Sequence, residues 1–269
     1  MTVGRHLTKY RHQFLSLNRR RRLGLEQSVA SLLLTRTEPN TREEPKMKIG
    51  IIGAGQTGGT LTRRFSALGH EVFVANSRGP ETLAGLAGET GATPVSVREA
   101  ARSGQVVIVT IPEKNISKLP RDLFEGVPDN VVVVDTGNYY PQQRDGRIDG
   151  IENGSTESRW VSQQLGRPVI KAFNNIHAEH LLKFGQVPGT PGRIALPVAG
   201  DDKKAKAIVL KLIDDLGFDG VDAGGLDESW QQQPGTPVYG SDFDADGVRK
   251  ALARANKERT AKWRAVQQS

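Results

Sequence analysis

The chain has no cysteine among its 269 residues. This absence excludes disulfide bonds, thiolate catalysis and cysteine-ligated metal sites together. No run of eighteen apolar residues occurs either, so the sequence predicts no membrane-spanning helix. A chain without disulfides suits a reducing compartment, and we expect a cytoplasmic protein.

Almost all of the net positive charge comes from the N-terminal end of the chain. The net charge is +7, from 37 Lys and Arg against 30 Asp and Glu. Residues 1–46 hold ten of the basic and four of the acidic residues, so the rest of the chain is nearly neutral at +1. A nucleic-acid-binding role for the folded part therefore loses its main support.

We interpret residues 1–46 as a disordered basic leader. They contain four consecutive arginines from Arg19 to Arg22, and they lack the apolar core of a secretory signal. A transit peptide and a basic tail are the alternatives. Met47 is the only methionine after Met1 and directly precedes the first predicted strand, so we expect the fold to begin there.

From Met47 onward, apolar runs alternate with amphipathic stretches. A run such as 131–134, apolar without alternation, is typical of a strand buried on both faces of a parallel sheet. The predicted strands are 48–52, 71–76, 105–111, 130–135, 168–172 and 193–199, with short additions near 93–95 and 218–222. This alternation predicts an α/β fold, a Rossmann-type doubly wound and mostly parallel sheet with helices on both faces.

Two helices between these strands show an apolar face. The first places Leu61, Phe65 and Leu68 on one side and would end at Gly69. The second would begin at Asp201 and end at Gly217. Its apolar face comprises Ala205, Ile208, Leu212, Ile213 and Leu216. Two long irregular loops are predicted over 137–158 and 224–244, followed by a charged C-terminal helix over 245–266.

Residues 53–58 form a G-x-G-x-x-G pattern that follows the first strand and opens a helix. Alone the pattern is weak, but this context is typical of a dinucleotide site. The first glycine permits a tight turn, the second lets the backbone approach a pyrophosphate closely, and the third lets the helix pack on the strand. The predicted cofactor-binding residues here are Gly53, Gly55, Gln56, Thr57 and Gly58. A glycine-rich turn without a ligand is the alternative.

The end of the second strand indicates which dinucleotide is bound. An NAD site normally places an acidic residue there, to accept hydrogen bonds from the ribose. Here the sequence reads Asn76, Ser77, Arg78, with no acidic residue between Glu71 and Glu81. Ser77 can donate to a 2′-phosphate and Arg78 can pair with it, so the sequence predicts NADP. The alternative is that Arg78 is a solvated loop charge.

The stretches "IGIIGAGQTGGTLTRRFSALGHEVFVANSRGPETL" and "VIVTIP" resemble the NADPH:coenzyme F-420 oxidoreductase family. The dinucleotide domain of that family is similar to those of pyrroline-5-carboxylate reductases and STEAP ferric reductases. The stretches "VVDTGN", "VIKAFNNIHAEHL", "PVAGDD" and "DAGGL" agree with it further along the chain. The predicted domains are therefore the leader 1–46, an NADP-binding domain over 47–226, and an irregular segment with a C-terminal helix over 227–269.

The resemblance implies hydride transfer between NADPH and coenzyme F-420 or a flavin-like acceptor. Such a transfer depends on the positions of two rings rather than on a strong acid or base, so no catalytic residue is assigned with certainty. The family implies that Thr57, Ser77 and Arg78 hold the adenine-side phosphates. It implies that Ile111 and Pro112 border the nicotinamide. The implied acceptor pocket comprises Ala172, Phe173, Asn174 and Asn175.

The chain departs from the family pattern after Leu226, which leaves the identity of the acceptor open. Asp135 and Asn138 follow a strand at the edge of the sheet where ligands bind, so we interpret them either as ligand contacts or, for Asp135, as the cap of the turn. Tyr139 and Tyr140 have two interpretations as well: they stack on a flat ring of the ligand, or they pack the loop.

His177 lies three residues before His180 and is a minor candidate for a proton donor, with a helix-surface histidine as the commoner interpretation. Trp230 and Tyr239 form either a lid or ordinary aromatic packing. We predict no metal site.

Three functions are compatible with this sequence. The first is an NADP-dependent oxidoreductase acting on a deazaflavin or flavin-like acceptor, and the second is an imine or ferric reductase built on the same domain. The third is a non-catalytic NADPH sensor with a protein partner. The expected partner is a small-molecule redox acceptor, with neither nucleic acid nor membrane, and a homodimer is left open.

Overall fold

The computed structural model describes residues 46–266. The chain divides into two units, Met1–Pro45 and Lys46–Ser269, and the described residues belong to the second. The predictions for the leader fall on residues 1–46 and, except for Lys46, lie outside the described part. Among the described residues no helix is long and apolar enough to cross a membrane.

Every predicted strand forms, usually one to three residues shorter than the apolar run that indicated it. The strands are β1 (Lys48–Ile52), β2 (Glu71–Ala75), β3 (Thr93–Pro94), β4 (Val106–Val109), β5 (Val132–Asp135), β6 (Ile170–Lys171), β7 (Ala195–Val198) and β8 (Asp219–Asp222).

Six of these strands form one parallel sheet in the order β3-β2-β1-β4-β5-β6. The chain proceeds outward from β1 in one direction and then from β4 in the other, which is the doubly wound order of a Rossmann fold. The predicted fold class is confirmed. The strand order reverses between β1 and β4, and ligands of such sheets bind at the carboxyl ends of the strands beside that point.

The last two strands lie in a separate sheet, which the sequence did not predict. β7 and β8 pair with each other in parallel, and an isolated antiparallel bridge between Lys171 and Ala199 joins them to β6. β6 is only two residues long, and its bridge to Ala199, the residue after β7, is antiparallel, so the regular parallel ladder ends there.

The helices connect the strands on both faces of the main sheet. They are α1 (Gln56–Ala67), α2 (Ala84–Thr90), α3 (Val97–Ser103), α4 (Asp149–Glu152), α5 (Glu157–Leu165), α6 (Ala178–Lys183), α7 (Lys203–Asp215) and α8 (Ala245–Ala253).

Two details of the predicted helices are wrong. Leu61 and Phe65 are buried on α1, but Leu68 is 43% exposed because it follows the helix as its C-cap, and Gly69 then adopts a positive φ of 81°. Asp202, not Asp201, caps α7 by accepting from the amides of Lys204 and Ala205.

The predicted irregular regions and the C-terminal helix also differ from the structure. The loop 137–158 contains a π-helical turn (Pro141–Asp145), α4 and the first residues of α5. The predicted helix 245–266 ends at Ala253, and only a short 3₁₀ turn, Ala261–Trp263, follows it. The stretch 224–244 is irregular apart from a 3₁₀ segment, Leu226–Gln232.

Within residues 46–266 the core has three apolar clusters. Two of them cover the two faces of the six-stranded sheet, with Ile49, Ile51 and Phe65 in one and Ile52, Val107 and Val109 in the other. The third packs α8 against the β7–β8 sheet through Val248, Ala251 and Leu252. The C-terminal segment after Leu226 is therefore part of the same compact unit.

Candidate functional site

The glycine loop joins β1 to α1, and two of its glycines are required by packing. Gly53 has a positive φ of 115°, and a Cβ there would overlap the carbonyl oxygen of Thr110. A Cβ on Gly58 would overlap the carbonyl oxygen of Gly53. These two positions serve the tight turn and the close contact between helix and loop.

Gly55 differs from its neighbours because nothing lies within 4 Å of the position its Cβ would take. It is the N-cap of α1, whose first turn has no acidic residue and no side-chain cap. The first amides of a helix lack intrahelical partners, so those of Gln56, Thr57 and Gly58 stand at an uncapped, positively polarised end. Open space at that end fits the pyrophosphate of a dinucleotide.

The glycine loop forms one wall of a cleft of about 520 Å³ at the carboxyl ends of β1, β2 and β4. The cleft therefore lies where the strand order reverses. Its lining residues include two cations and no carboxylate. They are Ile52, Gly53, Ala54, Gly55, Asn76, Ser77, Arg78, Val97, Thr110, Ile111, Pro112, Asn115, Lys118, Leu119 and Pro120.

At the β2 end of the cleft, Asn76 orders the turn that carries Ser77 and Arg78. Its Oδ1 accepts from the Arg78 amide at 2.9 Å, and its Nδ2 donates to Thr82 Oγ1 at 2.8 Å. Within residues 46–266 the side chains of Ser77 and Arg78 make no hydrogen bond or ion pair, and both residues are exposed. The structure places both at the cleft with their donors unengaged, as a phosphate-binding pair requires.

At the other end, Ile111 and Pro112 follow β4 and line the cleft. Ala172 and Asn174 do not line it. Asn174 is buried and donates to the Gln232 carbonyl at 2.6 Å and to Asn138 Oδ1 at 3.1 Å. This segment is therefore held against the 3₁₀ segment Leu226–Gln232, and its predicted role in an acceptor pocket stays a prediction.

The segment after β6 carries a strained residue. Phe173 has φ 62°, the one positive φ among the non-glycine residues described. Asn175, two residues further on, is 1% exposed, yet neither the Nδ2 nor the Oδ1 atom of its side-chain amide has a hydrogen-bond partner in residues 46–266. Strain and unpaired buried amides cluster at functional sites in proteins generally.

The predicted strand-end residues have structural roles. Asp135 caps its turn by accepting from the Gly137 amide at 2.8 Å, so the turn-cap interpretation is confirmed. Tyr139 is buried and packs the loop, its hydroxyl donating to the Gly146 carbonyl at 2.9 Å. Tyr140 contacts the hydroxyl of Tyr239 and the ring of Trp263. Trp263, rather than the predicted Trp230, is therefore the tryptophan that packs with Tyr239.

Sequence reasoning missed a fully buried charged cluster behind Pro112. Lys171 donates to Asp135 Oδ2 at 3.1 Å and to the Gly137 carbonyl at 2.6 Å. Glu113 is completely buried, and neither of its oxygens has a partner among the described residues. Glu157 pairs with Arg259 at the edge of the cluster. In the sequence, this cluster is indicated only by a charged residue within an apolar stretch, such as Lys171 in "PVIKA".

Burial and the neighbouring charges together set the ionisation of Glu113 and Lys171. Burial raises the pKa of Glu113 well above 4.5, and the neighbouring Asp135 carboxylate raises it further against the opposing pull of Lys171. Burial alone would lower the pKa of Lys171, but the attraction of Asp135, Glu157 and Glu113 outweighs it, and the net shift is upward. Lys171 therefore stays charged, and Glu113 favours its neutral form.

Neither His177 nor His180 lines the cleft. His177 is the N-cap residue of α6, although its side chain makes no capping hydrogen bond, and its ring contacts that of His180 edge to face. His180 in turn pairs with Asp242 through Nδ1 at 2.8 Å. Across residues 46–266, no three His, Asp or Glu side chains are grouped so that they could hold a metal ion.

Comparison with known proteins finds relatives of the part of the chain that forms the cleft. Residues 48–139 match the family model described as "NADP oxidoreductase coenzyme F420-dependent". The Escherichia coli (strain K12) protein YjhV is 44% identical over 78 residues, which are 29% of this chain and 57% of YjhV. The chain thus spans little more than half the length of that curated relative.

Two solved structures extend the likeness. The hypothetical protein SMa0349 from Sinorhizobium meliloti is 31% identical with a TM-score of 0.61, over 74% of this chain and 95% of that one. A protein from Arthrobacter sp. fb24, named as an F420-dependent NADP-reductase, has a TM-score of 0.55 over 66% of this chain and 85% of its own. At 22% identity that second likeness shows the fold alone.

The family model spans β1 to β5 and every residue that lines the cleft. SMa0349 is matched along nearly its whole length at an identity that indicates common descent. The chain is therefore related to SMa0349 along most of its length, and its residues 48–139 match the family described as coenzyme F420-dependent NADP oxidoreductases.

Proposed function

We propose that the protein binds NADPH in the cleft and transfers a hydride between its nicotinamide and a deazaflavin or flavin-like acceptor. The observation that carries the proposal is the lining of the cleft, which has the glycine loop and two cations but no carboxylate. An acidic residue at the end of β2 would select NADH and repel a 2′-phosphate. Ser77 and Arg78 stand there instead.

The residues of the cleft bind and orient rather than supply an acid or base. The uncapped end of α1 holds the pyrophosphate, and Gly55 keeps the approach open. Arg78 and Ser77 hold the 2′-phosphate, while Ile111 and Pro112 border the nicotinamide. In hydride transfer, near contact and alignment of the two rings supply most of the catalysis.

The acceptor class is supported by names of relatives. The matching family model is described as coenzyme F420-dependent, and the Arthrobacter structure is named for F420. The residues beyond Leu226, which depart from the family pattern, pack on the segment that holds Asn174 and Asn175. A free flavin or another flat acceptor therefore belongs in the same test as coenzyme F-420.

Arg78→Ala tests the choice of cofactor. A charge-assisted contact to phosphate is worth roughly 1.5–3 kcal/mol, so the NADPH dissociation constant should rise about ten- to a hundredfold. The NADH constant should hardly change, because NADH has no 2′-phosphate. Both constants are measured by titration on wild type and variant.

Arg254→Ala, which removes an exposed arginine after α8, is the control and should leave both constants unchanged. Equal losses for the two cofactors in Arg78→Ala would mean that Arg78 supports the fold or the shared pyrophosphate, and the NADP assignment would fall.

Turnover decides between an enzyme of this class and a sensor. Purified protein is mixed with NADPH and, separately, coenzyme F-420, FMN, FAD or a ferric chelate, and NADPH oxidation is followed by absorbance. Oxidation with F-420 or a flavin supports the proposal. Tight NADPH binding without turnover on any acceptor would favour the non-catalytic sensor.

A further inference from the structure

A second cation lines the cleft and has no role in the function proposed so far. We propose that Lys118 binds the adenosine 2′-phosphate of NADPH together with Arg78, and so shares in selecting NADPH over NADH. This inference rests on the proposed function and adds a specificity-determining residue to it. Lys118 and Arg78 are 40 positions apart in the sequence and follow different strands.

The segment that carries Lys118 begins at the nicotinamide end and runs to the adenosine end. It is a 3₁₀ segment, Glu113–Lys118, which starts directly after Pro112. Beyond Lys118 it is fastened to the start of α3, where Arg98 pairs with Asp122 at 2.6 Å. The helix α3 follows β3, and β3 pairs with β2. The end of the segment therefore lies on the β2 side of the cleft, the side of Ser77 and Arg78.

The apolar lining supports the same placement. Val97 at the start of α3 and Leu119 next to Lys118 both line the cleft and pack against the same core cluster. Apolar side chains at the β2 end of the cleft suit the flat faces of an adenine base. A cation adjoining Leu119 then stands beside the ribose that carries the 2′-phosphate.

The ammonium groups of Lys114 and Lys118, which lie on the same segment, differ in their hydrogen bonding. The ammonium of Lys114 donates to the Arg144 carbonyl at 2.7 Å and is thereby used within the protein. The ammonium of Lys118 makes no hydrogen bond or ion pair with any residue in the range 46–266, and the cleft that Lys118 lines has no carboxylate to neutralise it.

The charge of the ligand matches this arrangement. A phosphate monoester carries a charge of about −1.5 to −2 at neutral pH, which two cations balance and one does not. The pyrophosphate already has the uncapped end of α1 as its donor. The 2′-phosphate is therefore the group that needs a second cation.

Lys118→Met in the full chain tests the inference, with Lys114→Met as the matched control on the same segment. Methionine keeps the length of the side chain and removes the charge. We expect the NADPH dissociation constant to rise about tenfold and the NADH constant to stay within about twofold. Adenosine 2′,5′-bisphosphate, which has the 2′-phosphate and no nicotinamide, should lose affinity by the same factor as NADPH. Lys114→Met should change none of the three, and melting temperatures show that both variants are folded.

The outcomes separate this inference from the proposed function. Equal losses for NADPH and NADH would place Lys118 at the shared pyrophosphate, and no loss would make it a solvated lysine; either result overturns the inference. If Arg78→Ala is selective for NADPH and Lys118→Met is not, only the role of Lys118 falls. If wild type binds NADPH and NADH equally, both proposals fall.

Discussion

A completely buried glutamic acid with no partner among the described residues is the most unusual single residue of this protein. Glu113 lies next to the Asp135 and Lys171 pair, and a Cβ on Gly137 would come within 2.6 Å of Glu113 Oε1 and 2.9 Å of Asp135 Oδ1. Burial, and after it the neighbouring Asp135 carboxylate, raises the pKa of Glu113 well above its ordinary value and favours the neutral form. The neutral form of Glu113 is thus part of the native structure.

Glu113→Gln should therefore stabilise the protein in a pH-dependent way. The folded state retains the Glu113 proton above 4.5, the ordinary pKa of the unfolded chain. Between that pH and the raised folded pKa, wild type loses stability as pH rises, by up to about 1.4 kcal/mol per unit. The amide does not titrate, so the advantage of the variant should be small at pH 4 and grow towards neutral pH. Denaturant unfolding at several pH values measures it.

Glu125→Gln removes an exposed carboxyl group and serves as the control, which should track wild type at every pH. A Glu113→Gln variant whose stability runs parallel to wild type would show that Glu113 ionises normally in the folded state.

At the junction of β1 and α1, one glycine is needed for folding and another is needed for binding. Gly58 packs against the loop so closely that any Cβ would overlap the Gly53 carbonyl. Gly55 has φ −76° and open space before it, so other residues can adopt its conformation. The sequence pattern treats both glycines alike, and the structure distinguishes them.

Gly55→Val should leave the fold intact and abolish dinucleotide binding. The valine fits the backbone, so the free energy of unfolding should change by less than about 1 kcal/mol. Its side chain would occupy the space that the pyrophosphate needs, so NADPH and NADH should both lose at least about a hundredfold in affinity. Thermal unfolding and cofactor titration give the two values.

Gly58→Val makes the contrasting variant, because overlap with the Gly53 carbonyl should destabilise the fold by about 3 kcal/mol or more. Unimpaired NADPH affinity in folded Gly55→Val protein would show that the dinucleotide binds elsewhere.

At the scale of the whole molecule, the unit Lys46–Ser269 has its own core on both faces of the main sheet and under α8. The sequence of residues 1–46 shows no apolar periodicity that would add to this core. The two ends of the chain should therefore respond differently to truncation.

Removal of residues 1–46 should change the melting temperature by less than about 2 °C, which corresponds to under about 1 kcal/mol for a chain of this size. NADPH affinity should be unchanged. A large loss of either would contradict Met47 as the start of the fold.

Removal of residues 245–269, at the other end of the chain, should by contrast destabilise the protein. It takes Val248, Ala251 and Leu252 out of the third core cluster. Loss of three buried apolar side chains costs about 5 kcal/mol or more, so the melting temperature should fall by roughly 10 °C or more.

Local signals in the sequence were enough to predict the strands, the doubly wound class, the glycine loop and the position of Ser77 and Arg78. An uninterrupted apolar run such as 131–134 favours a strand that is buried on both faces, and a glycine loop between strand and helix has few other conformations available. Ser77 and Arg78 follow β2 directly, so the sheet order alone carries them to the cleft.

Which distant residues come together depends on how the elements pack. Lys118 lines the same cleft as Arg78 although 40 positions separate them, and Glu113 lies near Lys171 because β4, β5 and β6 are adjacent. The exposure of Leu68, the separate β7–β8 sheet and the pairing of Tyr239 with Trp263 have the same origin. Periodicity reports whether a residue faces the interior, but the partner it finds there depends on how whole elements pack, and no local pattern records that packing.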